Sequence, residues 1–166
     1  RAQAIRRSGG GPAATGVAAA SRLGCRTAFF GCLSADADGD FLQADFERYG
    51  VDTSCILRLA GYRAFTSCIW LNRETGTRTC VFDKGDLPPL RLTESHLRTL
   101  TQTRVLLVDG NELEAAVQAA WTVREAGGTV LYDAGGLYDG VERLLELADV
   151  LIPSEEFALG LTGETD

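Results

Sequence analysis

Apolar residues recur along the chain with two periods. Short continuous runs alternate with helical stripes, and glycine or aspartate closes most of them. Arg26 to Gly31 reads as a short apolar strand. Asp36-Ala-Asp-Gly-Asp40 then makes a turn that caps a helix through Phe41, Leu42, Ala44, Asp45 and Phe46, ending at Tyr49-Gly50. From Asp52 to Asp83 β-branched and aromatic residues alternate with polar ones. Phe65 to Asn72 and Thr77 to Phe82 flank Arg73-Glu-Thr-Gly76, which predicts a β-hairpin.

Asp86-Leu-Pro-Pro-Leu90 is a linker, and Thr93 to Gln102 a short helix capped at Thr93. Arg104 to Asp109 predicts a buried parallel strand that ends on a carboxylate, at the strand end where open α/β sheets place ligands. Leu113, Ala116, Val117, Ala120 and Trp121 form one helical stripe, stopped by Gly127-Gly128, and this stripe marks Trp121 as a packing residue. Thr129 to Asp133 is a further strand. Val141, Leu144, Leu145 and Ala148 form a helical stripe, Asp149 to Pro153 a last strand, and Ser154 caps a final helix through Leu161. Strand and helix in alternation predict an α/β fold with a mostly parallel sheet. The hairpin does not fit that crossover pattern and is expected as a small subdomain or lid.

The stretch Ser8 to Gly24 is the most unusual. Gly9-Gly-Gly11 is followed by Pro12 and an alanine-rich run, so a glycine loop opens directly into a helix that Gly24 stops. Such a loop suits close approach of a ligand to the backbone, and it also suits a merely flexible helix entry. Asp109 and Asp133 are open in the same way, as strand-end caps or as ligand contacts.

Composition narrows the classes. Hydrophobic content of 45% and charged content of 23% are ordinary for one globular domain of 166 residues, and a net charge of −7 argues against nucleic-acid or anionic-membrane binding. No apolar run approaches the ~20 residues of a membrane span. The arginine-bearing N-terminal residues lack a signal-like apolar region, so the expected location is the cytoplasm. Five cysteines, an odd number without metal-knuckle spacing, are expected as reduced and mostly buried thiols. His96 is the single histidine, which excludes His-based triads and His-metal clusters. There is no methionine and the chain begins at Arg1, so a piece of a longer protein is expected.

Taken in order, these motifs resemble the ribokinase-like (PfkB) carbohydrate kinases. Gly10-Gly-Pro-Ala-Ala-Thr15 with Ala18-Ala-Ala-Ser-Arg-Leu-Gly24 is similar to that family's glycine substrate loop and first signature. Phe30-Gly31, Asp38-Gly39-Asp40, Tyr49-Gly-Val-Asp-Thr53 and Val150-Leu-Ile-Pro-Ser-Glu-Glu-Phe-Ala158 follow at matching spacings. The resemblance implies a three-layer α/β/α ribokinase-like domain, here incomplete, with core units at about 10–51 and 91–166 and a β-lid at about 1–8 and 52–86. It implies phosphoryl transfer from ATP, with Mg2+, to the hydroxyl of a small-molecule sugar, and pairing of two subunits through the lid.

By the same resemblance Gly10, Gly11, Thr15 and Asp109 would hold the sugar. Asp133, Ser154 and Glu155 would lie toward the nucleotide and phosphates. Thr15 stands where the family usually has asparagine, and one hydroxyl offers a different hydrogen-bonding pattern from an amide. Ser154 and Phe157 replace the asparagine and glutamate of an Asn-x-x-Glu segment, which leaves no metal ligand there. The family's catalytic aspartate, in a Gly-Ala-Gly-Asp turn, and a sugar-binding aspartate on its first strand have no counterpart in the sequence. No catalytic residue is therefore assigned, and the chain alone is expected to be inactive. A non-catalytic sugar-binding or regulatory remnant is the alternative, and a Rossmann-type dinucleotide site fits poorly because Arg26 to Gly31 supplies no acidic strand end.

Overall fold

The structure, a computed structural model, describes residues 4–164. The first helix, α1 (Pro12–Arg22), starts where expected, with proline in its first turn and Gly11 before it at φ 102°, a conformation that favours glycine. It lies close against Leu107, in the apolar run Arg104 to Asp109, because Gly16 has no side chain: a Cβ there would come 2.5 Å from Leu107 Cδ2.

The strand expected at Arg26 to Gly31 is displaced toward the C-terminus. Strand β1 spans Gly31–Ser34 and pairs in parallel with β2 (Ile56–Leu59), while the expected stretch contributes only a single bridge, Ala28 to Asp52. The aromatic pair explains the shift. Phe29 stacks on Phe46 at 4.5 Å and Phe30 meets His96 edge-on at 5.5 Å, so both rings dock onto helices.

Helix α2 (Ala37–Arg48) carries the predicted cap. Asp36 accepts from the Asp38 and Gly39 N–H groups at 3.0 Å each and from the Ser34 hydroxyl at 2.7 Å. These donors, the Gly39 amide foremost, hold the Asp36 carboxyl below its usual range. Gly39 sits so close to β1 that a Cβ would fall 1.8 Å from the Ser34 carbonyl oxygen.

The predicted hairpin is present as β3 (Thr66–Leu71) and β4 (Arg78–Asp83), antiparallel, with Thr66 opposite Asp83 and Leu71 opposite Arg78. At its base Arg63 pairs with Asp83 at 2.8 Å and Asp86 at 3.4 Å. The expected lid stretch starts at 52, but β2 within it belongs to a parallel pair, and residues 4–8 form no strand. Both faces of the ribbon are exposed, which places Cys68 and Cys80 at the surface. With Cys25 also exposed, only Cys55 is buried, in contrast to the mostly buried thiols expected.

Helix α3 (Glu94–Leu100) begins at the predicted Thr93 cap, and the capping box is closed by an unusual partner. The Thr93 hydroxyl accepts the His96 N–H at 3.3 Å, while His96 Nδ1 accepts the Thr93 N–H at 3.2 Å. The ring is buried, 3% exposed, and burial lowers its pKa against a hydrogen bond to the Cys55 backbone that works in the opposite direction.

The C-terminal half is a run of parallel units: β5 (Val105–Val108), α4 (Leu113–Glu125), β6 (Thr129–Ala134), α5 (Glu142–Leu145), β7 (Val150–Pro153) and α6 (Glu155–Thr162), with sheet order β5-β6-β7. Its core joins Leu100, Val108, Val123, Val130, Tyr132, Leu144 and Phe157. Strand β5 is less buried than predicted, with Val105 59% exposed. Trp121 is not a packing residue but is 58% exposed. The buried face of α4 is Ala115, Ala119, Ala120 and Val123, small side chains that bring the helix close to the sheet and leave no room for an indole.

Among the described residues β1-β2 and β5-β6-β7 are separate sheets. Helix α1 connects the glycine loop to the second of them through one polar contact, in which Asp109, just beyond β5, accepts the Ala13 N–H at 3.1 Å.

Two outcomes follow for stability. Asp109→Ala removes the partner of a helix N-terminus and is expected to cost ~0.5–2 kcal/mol, read as a lower urea midpoint. For His96 the folded pKa lies below the unfolded value, so the folded state binds fewer protons and stability falls as pH drops below about 6.5. The urea midpoint is expected to decline between about pH 7 and 5.5, and His96→Gln to flatten that slope.

Candidate functional site

The glycine loop, the end of β5 and the hairpin line one open cleft. Its volume, about 4010 Å3, far exceeds the roughly 300–1,000 Å3 of a small-molecule pocket. The cleft therefore includes the gap between β1 and β5, both of which line it, and a ligand site is only one corner of it.

That corner is built by the polar ends of α1 and β5. A helix N-terminus presents unpaired N–H donors and a partial positive charge, an arrangement that draws anions. Here a protein carboxylate already occupies it. Asp109 Oδ2 accepts from Ala13 N and Oδ1 from Asn111 N, both at 3.1 Å. A second carboxylate, Asp45 on α2, accepts the Gly9 N–H at 3.1 Å. The loop thus lies between two carboxylates, and its middle is open: a Cβ at Gly10 would meet nothing within 4 Å.

Four of the residues singled out from the sequence meet here. Gly10, Gly11, Thr15 and Asp109 all line the cleft; Gly10, Gly11 and Thr15 are exposed, and the Gly11 carbonyl accepts the Thr15 N–H at 2.9 Å. Asp133, Ser154 and Glu155 do not line it. Asp133 lies on β6 opposite Ile152, and Ser154 caps α6 by accepting the Phe157 N–H at 3.1 Å, with Glu155 exposed in the first turn.

The Ser154 to Phe157 segment also fails as a metal site. The Ser154 hydroxyl is committed to its cap, and Phe157 is fully buried, edge-on to Tyr132 at 5.9 Å. Among the described residues no group of His, Cys, Asp or Glu side chains has the arrangement of a metal centre. The residues present do not fit Mg2+, and no chemical step is derived through it.

Two residues of this corner escaped the sequence reading. The sequence reading gave Asp45 a place in a helix and no role, but its side chain is only 15% exposed and also binds Arg48 at 2.6 Å. Tyr132 stands behind the Asp109–Gly110 turn: a Cβ at Gly110 would be 3.1 Å from its hydroxyl. That phenol is fully buried without a hydrogen-bond partner among the described residues. Burial raises its pKa, with Tyr138 and Asp109 adding to the shift.

Comparison with known proteins agrees with this architecture. Residues 1–166 match the family model described as pfkB family carbohydrate kinase. Aminoimidazole riboside kinase of Salmonella typhimurium is 36% identical over 139 residues, covering 75% of this chain and 40% of that protein. Ketohexokinase of Mus musculus is 29% identical over 116 residues, covering 70% and 39%. Among solved structures, fructokinase of Halothermothrix orenii superposes with a TM-score of 0.78 at 21% identity, over 90% of this chain and 58% of its own. Fructokinase of Xylella fastidiosa with bound ATP gives 0.71 at 26% identity, over 85% and 49%. The chain spans about two fifths of the length of these two curated relatives. The family model covers the chain from end to end, and the α/β framework with its mostly parallel strands is that of the solved kinases; the chain belongs to the pfkB family of carbohydrate kinases.

Proposed function

We propose that the intact protein is a sugar kinase that transfers a phosphoryl group from ATP to a sugar hydroxyl, and that this chain supplies the sugar-holding half. One observation carries the reading: the glycine loop is bracketed by Asp109 and Asp45. Ionised carboxylates only accept hydrogen bonds, so they match hydroxyl donors and repel phosphate oxygens, which are acceptors of like charge. In this role Asp109 accepts from a sugar hydroxyl with the lone pairs that Ala13 and Asn111 leave free. The Gly10 and Gly11 backbone approaches the ring, and the Thr15 hydroxyl contributes to the choice of sugar. Asp133, Ser154 and Glu155 belong to the side facing the nucleotide.

Phosphoryl transfer needs stabilisation of phosphate charge and a base for the hydroxyl proton. We assign both, with ATP and Mg2+, to residues outside this chain, which makes the chain alone inactive. The hairpin serves as a lid and as the surface on which two subunits pair. Its exposed Ile69, Trp70, Leu71, Val81 and Phe82 support this, because a two-stranded ribbon is marginal in water unless packed. No helix among the described residues is long and apolar enough to cross a membrane, and the described cysteines are all free, which supports a cytoplasmic location. Phe157, buried where a metal-organising glutamate would stand, favours one competing reading, a non-catalytic sugar-binding remnant.

The test is ATP turnover against a panel of sugars, on the full reading frame and on this chain side by side. The full protein is expected to phosphorylate one class of sugar and this chain none. Turnover by the chain alone would overturn the division of labour. Sugar-dependent thermal stabilisation of the full protein without turnover would favour the remnant.

A further inference from the structure

Helix α2 presents Asp38, Phe41 and Asp45 at spacings of three and four residues, which puts them on one face. All three touch the segment that enters the glycine loop. Arg7 forms an ion pair with Asp38, and its guanidinium lies 4.1 Å from the centre of the Phe41 ring. Two residues later the Gly9 N–H donates to Asp45 Oδ2. Gly9 leaves no slack in that contact, since a Cβ there would stand 2.9 Å from the same oxygen. The other oxygen of Asp45, Oδ1, accepts from Nη2 of the exposed Arg48 at 2.6 Å.

We propose that Asp45 is a positioning residue for the sugar-binding loop, fixing Gly9 so that Gly10 and Gly11 present their backbone at a set height beside Asp109. The inference rests on the sugar-kinase reading for its kinetic consequence but not for its structural one. The two exposed contacts of Arg7 guide the strand of chain along α2. The half-buried contact at Gly9 sets the loop, because a carboxylate shielded from solvent holds a backbone N–H more tightly than an exposed ion pair holds two long side chains. The glycine loop is therefore clamped at both ends by carboxylates from different parts of the fold, Asp45 of α2 before it and Asp109, just beyond β5, after it.

The experiment uses the full-length protein with three substitutions. Asp45→Ala removes the acceptor. Asp45→Asn keeps an oxygen for Gly9 and loses the ion pair. Arg48→Met loses the ion pair and keeps the carboxylate. Asp45→Ala is expected to raise KM for the sugar about tenfold with kcat within about twofold, while Asn and Arg48→Met stay near wild type. Phe46→Leu, which weakens the same helix without touching Gly9, controls for general destabilisation and is expected to leave KM unchanged. Hydrogen exchange of the amides of Gly9, Gly10, Gly11 and Ala13 is followed in parallel, and faster exchange is expected only in Asp45→Ala. An unchanged KM in an active Asp45→Ala enzyme, or equal effects from Arg48→Met or Phe46→Leu, would overturn the assignment. If the wild type turns over no sugar, the kinase reading fails by itself. The exchange data then decide: protection lost only in Asp45→Ala upholds the clamp, and unaltered protection refutes it.

Discussion

The hydrogen bond from the Ala13 N–H to Asp109 sets the geometry on which the candidate site depends. It joins the start of α1 to the end of β5 and so converts a glycine loop into a fixed edge of the cleft. The contact is possible because Gly16 lets α1 lie directly on Leu107, one turn beyond the loop. It also underlies the chemistry proposed for the site. A helix N-terminus with a free field would favour an anion, and one already neutralised by a carboxylate does not. In the function proposed above, the glycine loop with Asp109 in place is a surface for hydroxyl donors.

Much of this was legible in the sequence because the signals are local. Pro12 and Gly24 bound α1, Asp36 and Thr93 cap α2 and α3, and the Arg73 to Gly76 turn sets the hairpin register, each through contacts a few residues apart. The position of Asp109 at the end of an apolar run was equally plain. What it binds was not, since its partner Ala13 lies 96 residues away and is bound through a backbone N–H that any residue except proline would supply.

The misreadings have the same origin. Phe29 and Phe30 look like strand residues until their rings are seen on α2 and α3, and the ladder begins only at Gly31. Trp121 fits a helical stripe, yet α4 packs through alanines, and a tryptophan one position from that face is turned outward. Asp45 carries no distinguishing pattern, because its function depends on a glycine 36 residues earlier in the chain. Capping and turns are written in short range, whereas the contacts that shape the site are long-range and made to the backbone.

The central claim, that the bracketed loop receives hydroxyls and not phosphate, is tested most directly by the Gly10 and Gly11 amide resonances of the full-length protein, titrated separately with sugars and with inorganic phosphate. The account predicts that a sugar shifts both resonances and phosphate leaves them in place. Saturable shifts with phosphate and none with any sugar would contradict it.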